Sequence, residues 1–98
     1  MSSLPFEESI IEETEEYIVV QRSFDKNLGR EELVWHRDKE DREICVIEGE
    51  GWYLQFDNEL PNLMQKNVSY KIPSETWHRI INTNETKLLI NVKKHKCI

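Results

Sequence analysis

The stretch NVSYKIPSETWHRIIN, residues 67–82, combines two short β-strand patterns with a turn between them. Ser69 to Ile72 and His78 to Asn82 are rich in β-branched and aromatic side chains, which favour pleated, half-buried strands. Pro73 follows the first pattern, where its missing N–H breaks no hydrogen bond of a β-ladder. The stretch therefore predicts two strands joined by a turn, with a histidine at the start of the second strand.

Similar patterns recur along most of the chain, and helical periodicity is poor after residue 16. Turn-forming residues separate the apolar runs, notably at 48–51, 57–61 and 82–85. Many short strands without a helix predict an all-β sandwich or barrel. The expected strands are Tyr17 to Phe24, Glu32 to Arg37, Arg42 to Glu48, Trp52 to Asp57, Leu63 to Gln65, Ser69 to Ile72, His78 to Asn82 and Lys87 to Lys93.

The chain has 98 residues, of which 38% are hydrophobic, 13 are basic and 19 are acidic. This length fits one small domain and excludes a large multidomain enzyme. The basic residues form neither a surface for nucleic acid nor a polybasic patch for anionic lipid. We therefore expect no nucleic-acid partner and no membrane partner.

The acidic excess lies in residues 1–16, which contain six glutamates and no lysine or arginine. The remainder of the chain carries 13 acidic and 13 basic side chains. We expect residues 1–16 to form a solvated acidic leader, with a short helix as one form that it can take. Residues 17–98 are expected to form the folded domain.

No apolar run exceeds four residues, the length of Ile44 to Ile47, which is too short for a transmembrane helix or a secretory signal. The two cysteines, Cys45 and Cys97, are too few for a disulfide scaffold, so both are expected to be free thiols. These observations predict a cytoplasmic protein.

Two histidines and an aspartate form a candidate metal site. His36 and Asp38 are two residues apart, which places both side chains on one face of a strand. With His78 from another strand they supply a ligand set that suits an octahedral iron, manganese, nickel or zinc ion with open positions. On spacing alone, the alternative is that they are surface histidines paired with nearby carboxylates.

The opening stretch also has the spacing of a family motif. Asn67-x5-Pro73-x-Glu75-x2-His78-x3-Asn82 keeps the spacing of the second cupin motif, G-x5-P-x-G-x2-H-x3-N, at every step. The proline, the histidine and the asparagine are shared, whereas Asn67 and Glu75 replace glycines. Glutamate tolerates a left-handed backbone less well than asparagine, so the turn before the histidine is expected to have a different shape.

From Gly29 to Val92 the chain resembles a small single-domain cupin. The resemblance implies an antiparallel jelly-roll β-barrel, also called a double-stranded β-helix. It also implies a homodimer, because small cupins commonly pair through sheet edges or faces. It does not select an activity, since cupins include dioxygenases, isomerases, sugar epimerases, storage proteins and sensory domains.

The first cupin motif is present in altered form when it is aligned on Gly49. His36 is retained, Asp38 replaces the second histidine, and Arg42 replaces the usual metal-binding glutamate. A longer spacer puts Glu43 at that position instead, but strand alternation turns Glu43 to the face opposite Arg42. We therefore prefer Arg42.

By resemblance, the remaining metal ligands are His36, Asp38 and His78, with a cation at the fourth position. Arginine has no lone pair for a metal. In one interpretation Asp38 screens Arg42 and a site for a divalent metal remains, in a metal-dependent enzyme of oxygenase or isomerase type. In another, the pocket is metal-free and Arg42 anchors a small anionic ligand in a binding or regulatory module. A third is an ion pair of Arg42 with Asp38 or Glu48 and no ligand.

The strand from Trp52 to Asp57 alternates between an apolar and a mixed face. Tyr53 and Gln55 lie on the mixed face and are expected to line the cavity mouth as ligand-binding residues. Core positions are expected at Ile44, Val46 and at least one of Trp52 and Phe56.

Overall fold

The computed structural model of the chain describes residues 6–25, 35–82 and 86–96. Within these ranges the protein is all-β. No helix there is long and apolar enough to cross a membrane. The strands are β1 (Phe6–Glu13), β2 (Tyr17–Phe24), β3 (Arg42–Glu48), β4 (Trp52–Phe56), β5 (Asn62–Leu63), β6 (Ser69–Ile72), β7 (His78–Asn82) and β8 (Leu88–His95).

The strands form two antiparallel sheets. One has five strands in the order β1-β2-β8-β3-β6, and the other has three in the order β5-β4-β7. Buried side chains from both sheets pack into one hydrophobic core. The all-β prediction is therefore confirmed. Of the predicted strand from Glu32 to Arg37, the first three residues lie outside the described ranges, as does Cys97.

Strand alternation decides which side chains reach the core. Ile44 and Val46 of β3 are buried, as are Trp52 and Leu54 of β4, which confirms the predicted core positions. The indole N–H of Trp52 donates a hydrogen bond to the carbonyl of Thr86, 3.0 Å away. The largest core side chain thus buries its polar atom with a partner.

The turn between β3 and β4 depends on glycine. Gly49 has a φ of 130° and Gly51 a φ of 77°, both in the region that favours glycine. A Cβ atom on Gly49 would lie 2.8 Å from the carbonyl oxygen of Lys87. Both the backbone conformation and the close approach therefore require glycine at position 49.

The acidic segment contributes an edge strand. β1 pairs antiparallel with β2, from Phe6 opposite Phe24 to Glu13 opposite Ile18, with a bulge between Ile10 and Glu12. The short helix considered for this segment is therefore wrong, because residues 6–13 obtain their backbone hydrogen bonds from β2. The division into a leader of residues 1–16 and a domain of residues 17–98 stays a prediction.

Candidate metal centre

Two copies of the tripeptide Trp-His-Arg, at residues 35–37 and 77–79, meet in antiparallel orientation. The backbone N–H of His36 donates to the carbonyl of His78 at 3.0 Å, and the N–H of His78 donates to the carbonyl of His36 at 2.9 Å. The two imidazole rings lie 4.3 Å apart between centroids. This pairing explains how residues distant in sequence present their imidazoles side by side.

The residues that flank the histidines lie against each other across the same pairing. The guanidinium of Arg37 lies 5.2 Å from the ring centre of Trp77, and that of Arg79 lies 4.7 Å from the ring centre of Trp35. Each contact is a cation–π interaction between one tripeptide and the other. Both tryptophans are partly exposed, at 38% for Trp35 and 44% for Trp77, so they cover the outer surface.

Asp38 completes the cluster. Its Oδ2 atom lies 3.4 Å from Nε2 of His78 and 3.9 Å from Nε2 of His36. Ligand atoms of the three residues all lie within 4.8 Å of one another. His78 is buried, whereas 46% of the His36 side chain is exposed, so solvent reaches the cluster from the His36 side.

A hydrogen bond of His78 fixes the tautomer of its neutral imidazole ring. Nδ1 lies 2.8 Å from the carbonyl oxygen of Thr76, which can only accept, so Nδ1 carries the hydrogen and donates it. In the neutral ring, Nε2 then presents its lone pair to Asp38. Oδ2 of Asp38 is itself buried and has no hydrogen-bond partner among the residues that the structure describes. A cation between these two atoms would satisfy both, so the residues fit a divalent metal.

The charge state of Asp38 also suits a metal ligand. Burial raises the pKa of this carboxyl, but the hydrogen bond and positive charge that a protonated His78 ring offers it, together with the positive charges of Arg42 and His36, outweigh burial. The resulting pKa lies below the ordinary value of an aspartate. Asp38 is therefore an ionised carboxylate at neutral pH.

Arg42 lies beside the cluster and pairs with two carboxylates. Its Nη2 atom is 2.7 Å from Oε1 of Glu40 and 3.4 Å from Oδ1 of Asp38. Asp38 thus faces Arg42 with one oxygen and the histidines with the other, as in the interpretation in which it screens the cation. Glu40, rather than Glu48, is the second partner. The signal for Glu40 was its position two residues before Arg42 in the sequence, just before β3 begins.

Arg42 and Glu43 lie on different faces of β3. Arg42 shares its face with the buried Ile44 and pairs across the ladder with Lys94 of β8. Glu43 pairs with Lys93 and Lys71, on the outer face of the sheet. The register therefore agrees with the choice of Arg42 over Glu43 for the position beside the histidines.

Tyr53 and Gln55 are not brought to this cluster. In the β4–β7 ladder Phe56 pairs with His78 and Gln55 with Arg79, so Gln55 lies on the face opposite His78. Its amide accepts a hydrogen bond from Arg79 at 2.9 Å. Tyr53 shares that face and lines a separate open groove of about 880 Å³. The expectation that both line the mouth of the histidine pocket is corrected by this alternation.

Asn67, in the turn before β6, and Glu75, in the turn before β7, adopt the backbone conformation that glycine favours. Asn67 has a φ of 65° and Glu75 a φ of 60°. The N–H of Glu75 donates to the carbonyl of Asp38 at 2.7 Å, which joins this turn to the segment that carries the ligands. The expected change of shape is therefore wrong at Glu75. The left-handed backbone conformation at Glu75 costs about 1–2 kcal/mol of conformational energy.

Solved structures with this architecture cover nearly the whole chain. A cupin domain from Bordetella pertussis Tohama I has a TM-score of 0.70 and 19% identity over 99% of both chains. An RmlC-like cupin from Shewanella frigidimarina NCIMB 400 has a TM-score of 0.78 and 16% identity, over 97% of this chain and 79% of that one. KdgF from Halomonas sp. has a TM-score of 0.74 and 16% identity, over 95% and 82%.

No protein-family model and no curated protein sequence matches the chain. The structural similarities show that the chain has the cupin fold, a double-stranded β-helix. They confirm the predicted resemblance at the level of the fold.

Proposed function

We propose that this cupin-fold chain binds one divalent transition-metal ion through His36, Asp38 and His78. The observation that supports the proposal is the buried Oδ2 atom of Asp38, which has no hydrogen-bond partner within the described part of the chain and lies 3.4 Å from the Nε2 atom of His78. A buried carboxylate oxygen that faces a nitrogen lone pair is unfavourable unless a cation lies between them. The Nδ1 atom of His78 donates a hydrogen bond to the backbone carbonyl of Thr76, an arrangement common for metal-ligating histidines.

Three protein ligands leave coordination positions open for a small molecule. Iron, manganese, nickel and zinc all accept imidazole and carboxylate ligands, and when bound would act as a Lewis acid on that molecule. Asp38 contributes a negative charge, and Thr76 orients the His78 ring through its carbonyl. Within this proposal, an enzyme of oxygenase or isomerase type is the activity that such an open site suits.

The alternative is a metal-free binding module in which Arg42 anchors an anion. The structure favours it less, because the Arg42 guanidinium already forms ion pairs with Glu40 and Asp38. An incoming anion would have to displace a carboxylate 2.7 Å away. A cytoplasmic location stays a prediction for either function.

Metal analysis of the full chain, purified without a histidine tag, tests the proposal. We expect close to one equivalent of iron, manganese, nickel or zinc in the wild type and almost none in His78→Ala. His95→Ala is the matched control, because His95 is an exposed histidine at the end of β8 and should leave the metal content unchanged. A wild type that remains metal-free after supplementation contradicts the proposal and favours the metal-free module.

A further inference from the structure

The two Trp-His-Arg tripeptides present four large side chains on the outer surface of the protein. Arg79 lies over the ring of Trp35, and Arg37 lies over the ring of Trp77, because the tripeptides pair in antiparallel orientation. We call these four residues the Trp–Arg face. Strand alternation points their side chains away from those of the two histidines. The Trp–Arg face is therefore separate from the candidate metal ligands.

The outer face of the three-stranded sheet continues the Trp–Arg face. Gln55 pairs with Arg79 in the β4–β7 ladder, so the two side chains share this surface. Tyr53 lies two residues earlier on the same face and pairs with Ile81 and with Leu63, which is 48% exposed. Tryptophan, tyrosine and arginine are the residue types that contribute most to binding energy at protein interfaces. This surface therefore has the composition of a docking site.

The Trp–Arg face is positively charged in a chain whose net charge is −6 at pH 7. Arg79 donates a hydrogen bond to the neutral amide of Gln55, and among the described residues it has no carboxylate partner. Arg37 pairs with Glu75 at 3.4 Å, but more than half of each side chain is exposed. Such an ion pair is weak and exchanges readily for another carboxylate. The surface thus suits a partner that carries carboxylates together with apolar side chains.

Strand β1 of this chain has that composition. Its residues 7–13 read EESIIEE, and all seven are exposed. Ile10 is 61% exposed and Ile11 is 50% exposed, although both belong to a strand. Within the part of the chain that the structure describes, Glu7 and Glu12 form no ion pair. β1 therefore offers an apolar centre with acidic residues on both sides of it.

Two copies of β1 are poorly suited to pair with each other. Antiparallel pairing centred on the isoleucines would place glutamates opposite glutamates, and like charges opposite each other destabilise a ladder. On the Trp–Arg face, the same glutamates would meet guanidinium groups and the isoleucines would meet indole rings. Charge complementarity therefore favours contact between β1 and the Trp–Arg face over contact between two β1 strands.

We propose that β1 of one copy of this chain docks on the Trp–Arg face of a second copy, and that the second copy's β1 docks on the first in return. Each copy has both elements, so one two-fold axis creates two equivalent contacts. The isoleucines cover the exposed tryptophan rings, and the glutamates pair with Arg37 and Arg79. The inference assigns an interface to the expected homodimer and does not depend on the proposed metal.

Sedimentation equilibrium of the full chain, with charge-reversal variants, tests the inference. Glu7→Lys/Glu12→Lys changes β1, and Arg37→Glu/Arg79→Glu changes the Trp–Arg face. Each variant alone should weaken the dimer at least about tenfold. An equimolar mixture of the two should restore the dimer, because a mixed pair has one native contact and one contact in which both charges are reversed. Lys71→Glu is the control, since Lys71 is an exposed cation on β6 and should leave the dimer unchanged.

Two further measurements make the test specific for this surface. Emission from Trp35 and Trp77 should shift to shorter wavelength as the protein concentration rises, because dimerisation removes both rings from water. If the reversal of both arginines prevents folding, Arg37→Gln/Arg79→Gln replaces it and should also weaken the dimer.

A wild type that stays monomeric at micromolar concentration overturns the inference and leaves the Trp–Arg face to a partner of different sequence. A dimer that neither charge-reversal variant weakens, or that Lys71→Glu weakens equally, overturns it as well. Losses in both variants without recovery in the mixture would show that β1 and the Trp–Arg face do not contact each other.

Discussion

The Nη2 atom of Arg42 lies 3.4 Å from Oδ1 of Asp38, while Nε2 of His78 lies 3.4 Å from Oδ2 of the same carboxylate. Asp38 therefore divides its charge between a permanent cation and the proposed metal. The residue at position 42 should therefore control metal affinity. The Arg42 guanidinium and a metal ion on the other side of the Asp38 carboxylate are both positive, and they repel each other strongly at low dielectric.

Arg42→Glu is expected to raise metal affinity by at least about tenfold, or roughly 1.4 kcal/mol. The change removes the repelling charge and supplies a fourth ligand, a carboxylate oxygen. Titration with manganese or nickel, followed by calorimetry, measures the effect. Arg42→Gln removes the charge without adding a carboxylate and should give a smaller increase. Unchanged affinity in both variants would show that Arg42 does not act on the site.

Metal binding should stabilise the folded chain, because the ligands converge only in the native state. At a free metal concentration about 100 times the dissociation constant, the stabilisation is about 2.7 kcal/mol. For a domain of this size it should raise the melting temperature by on the order of 10 °C. Thermal unfolding with and without nickel checks this expectation. An equal rise in His78→Ala would place the binding elsewhere.

Glu75→Gly should stabilise the protein by about 1 kcal/mol, because it relieves a left-handed backbone at a residue with a side chain. The ion pair between Glu75 and Arg37 at 3.4 Å is exposed and offsets little of this gain. Asn67→Gly is the matched comparison and should change stability less, since asparagine tolerates the conformation. Urea denaturation gives both values. A destabilised Glu75→Gly would mean that the side chain matters more than the backbone.

Gly49→Ala should destabilise the fold by roughly 2 kcal/mol or more, because it combines a positive φ with a Cβ 2.8 Å from the Lys87 carbonyl. The same denaturation experiment measures the loss. A change of less than about 0.5 kcal/mol, the usual range for a neutral surface substitution, would contradict the assignment of this turn.

The homodimer stays a prediction, and the edges of the five-stranded sheet suggest where to test it. β1 and β6 are its terminal strands, and β1 exposes Ile10 and Ile11. Unpaired strand edges with apolar side chains favour association. Sedimentation velocity at micromolar concentration should therefore show a dimer, and a single monomeric species there would rule it out.

Strands with apolar residues on one face were predictable from the sequence. The bounds of β2, β3, β6 and β7 agree with the predicted ranges, because alternation and turn residues define them without tertiary information. β1 was not predicted as a strand. Its glutamates have low strand propensity and seven of its eight residues are exposed, so only the pairing with β2 makes it a strand.

Motif spacing in the sequence predicted the residues of the candidate site. It predicted the residues around the site less accurately. Spacing placed His36, Asp38 and His78 together, as the structure does, although their role as ligands stays a prediction. The pocket role of Tyr53 and Gln55 was misjudged because the sequence shows which residues alternate but not which face of β4 meets the histidines. Only the register of the β4–β7 ladder decides that question.

The fluorescence of the tryptophans that flank the two histidines should respond to a metal ion bound at the site. Trp35 and Trp77 are next to the two histidines in sequence and are partly exposed, whereas Trp52 is buried in the core at 1% exposure. Emission from a water-exposed indole lies at longer wavelength than emission from a buried one. A quenching metal ion at the histidines would therefore dim the long-wavelength component first. Trp52, packed away from the outer face, would serve as an internal reference for the integrity of the fold.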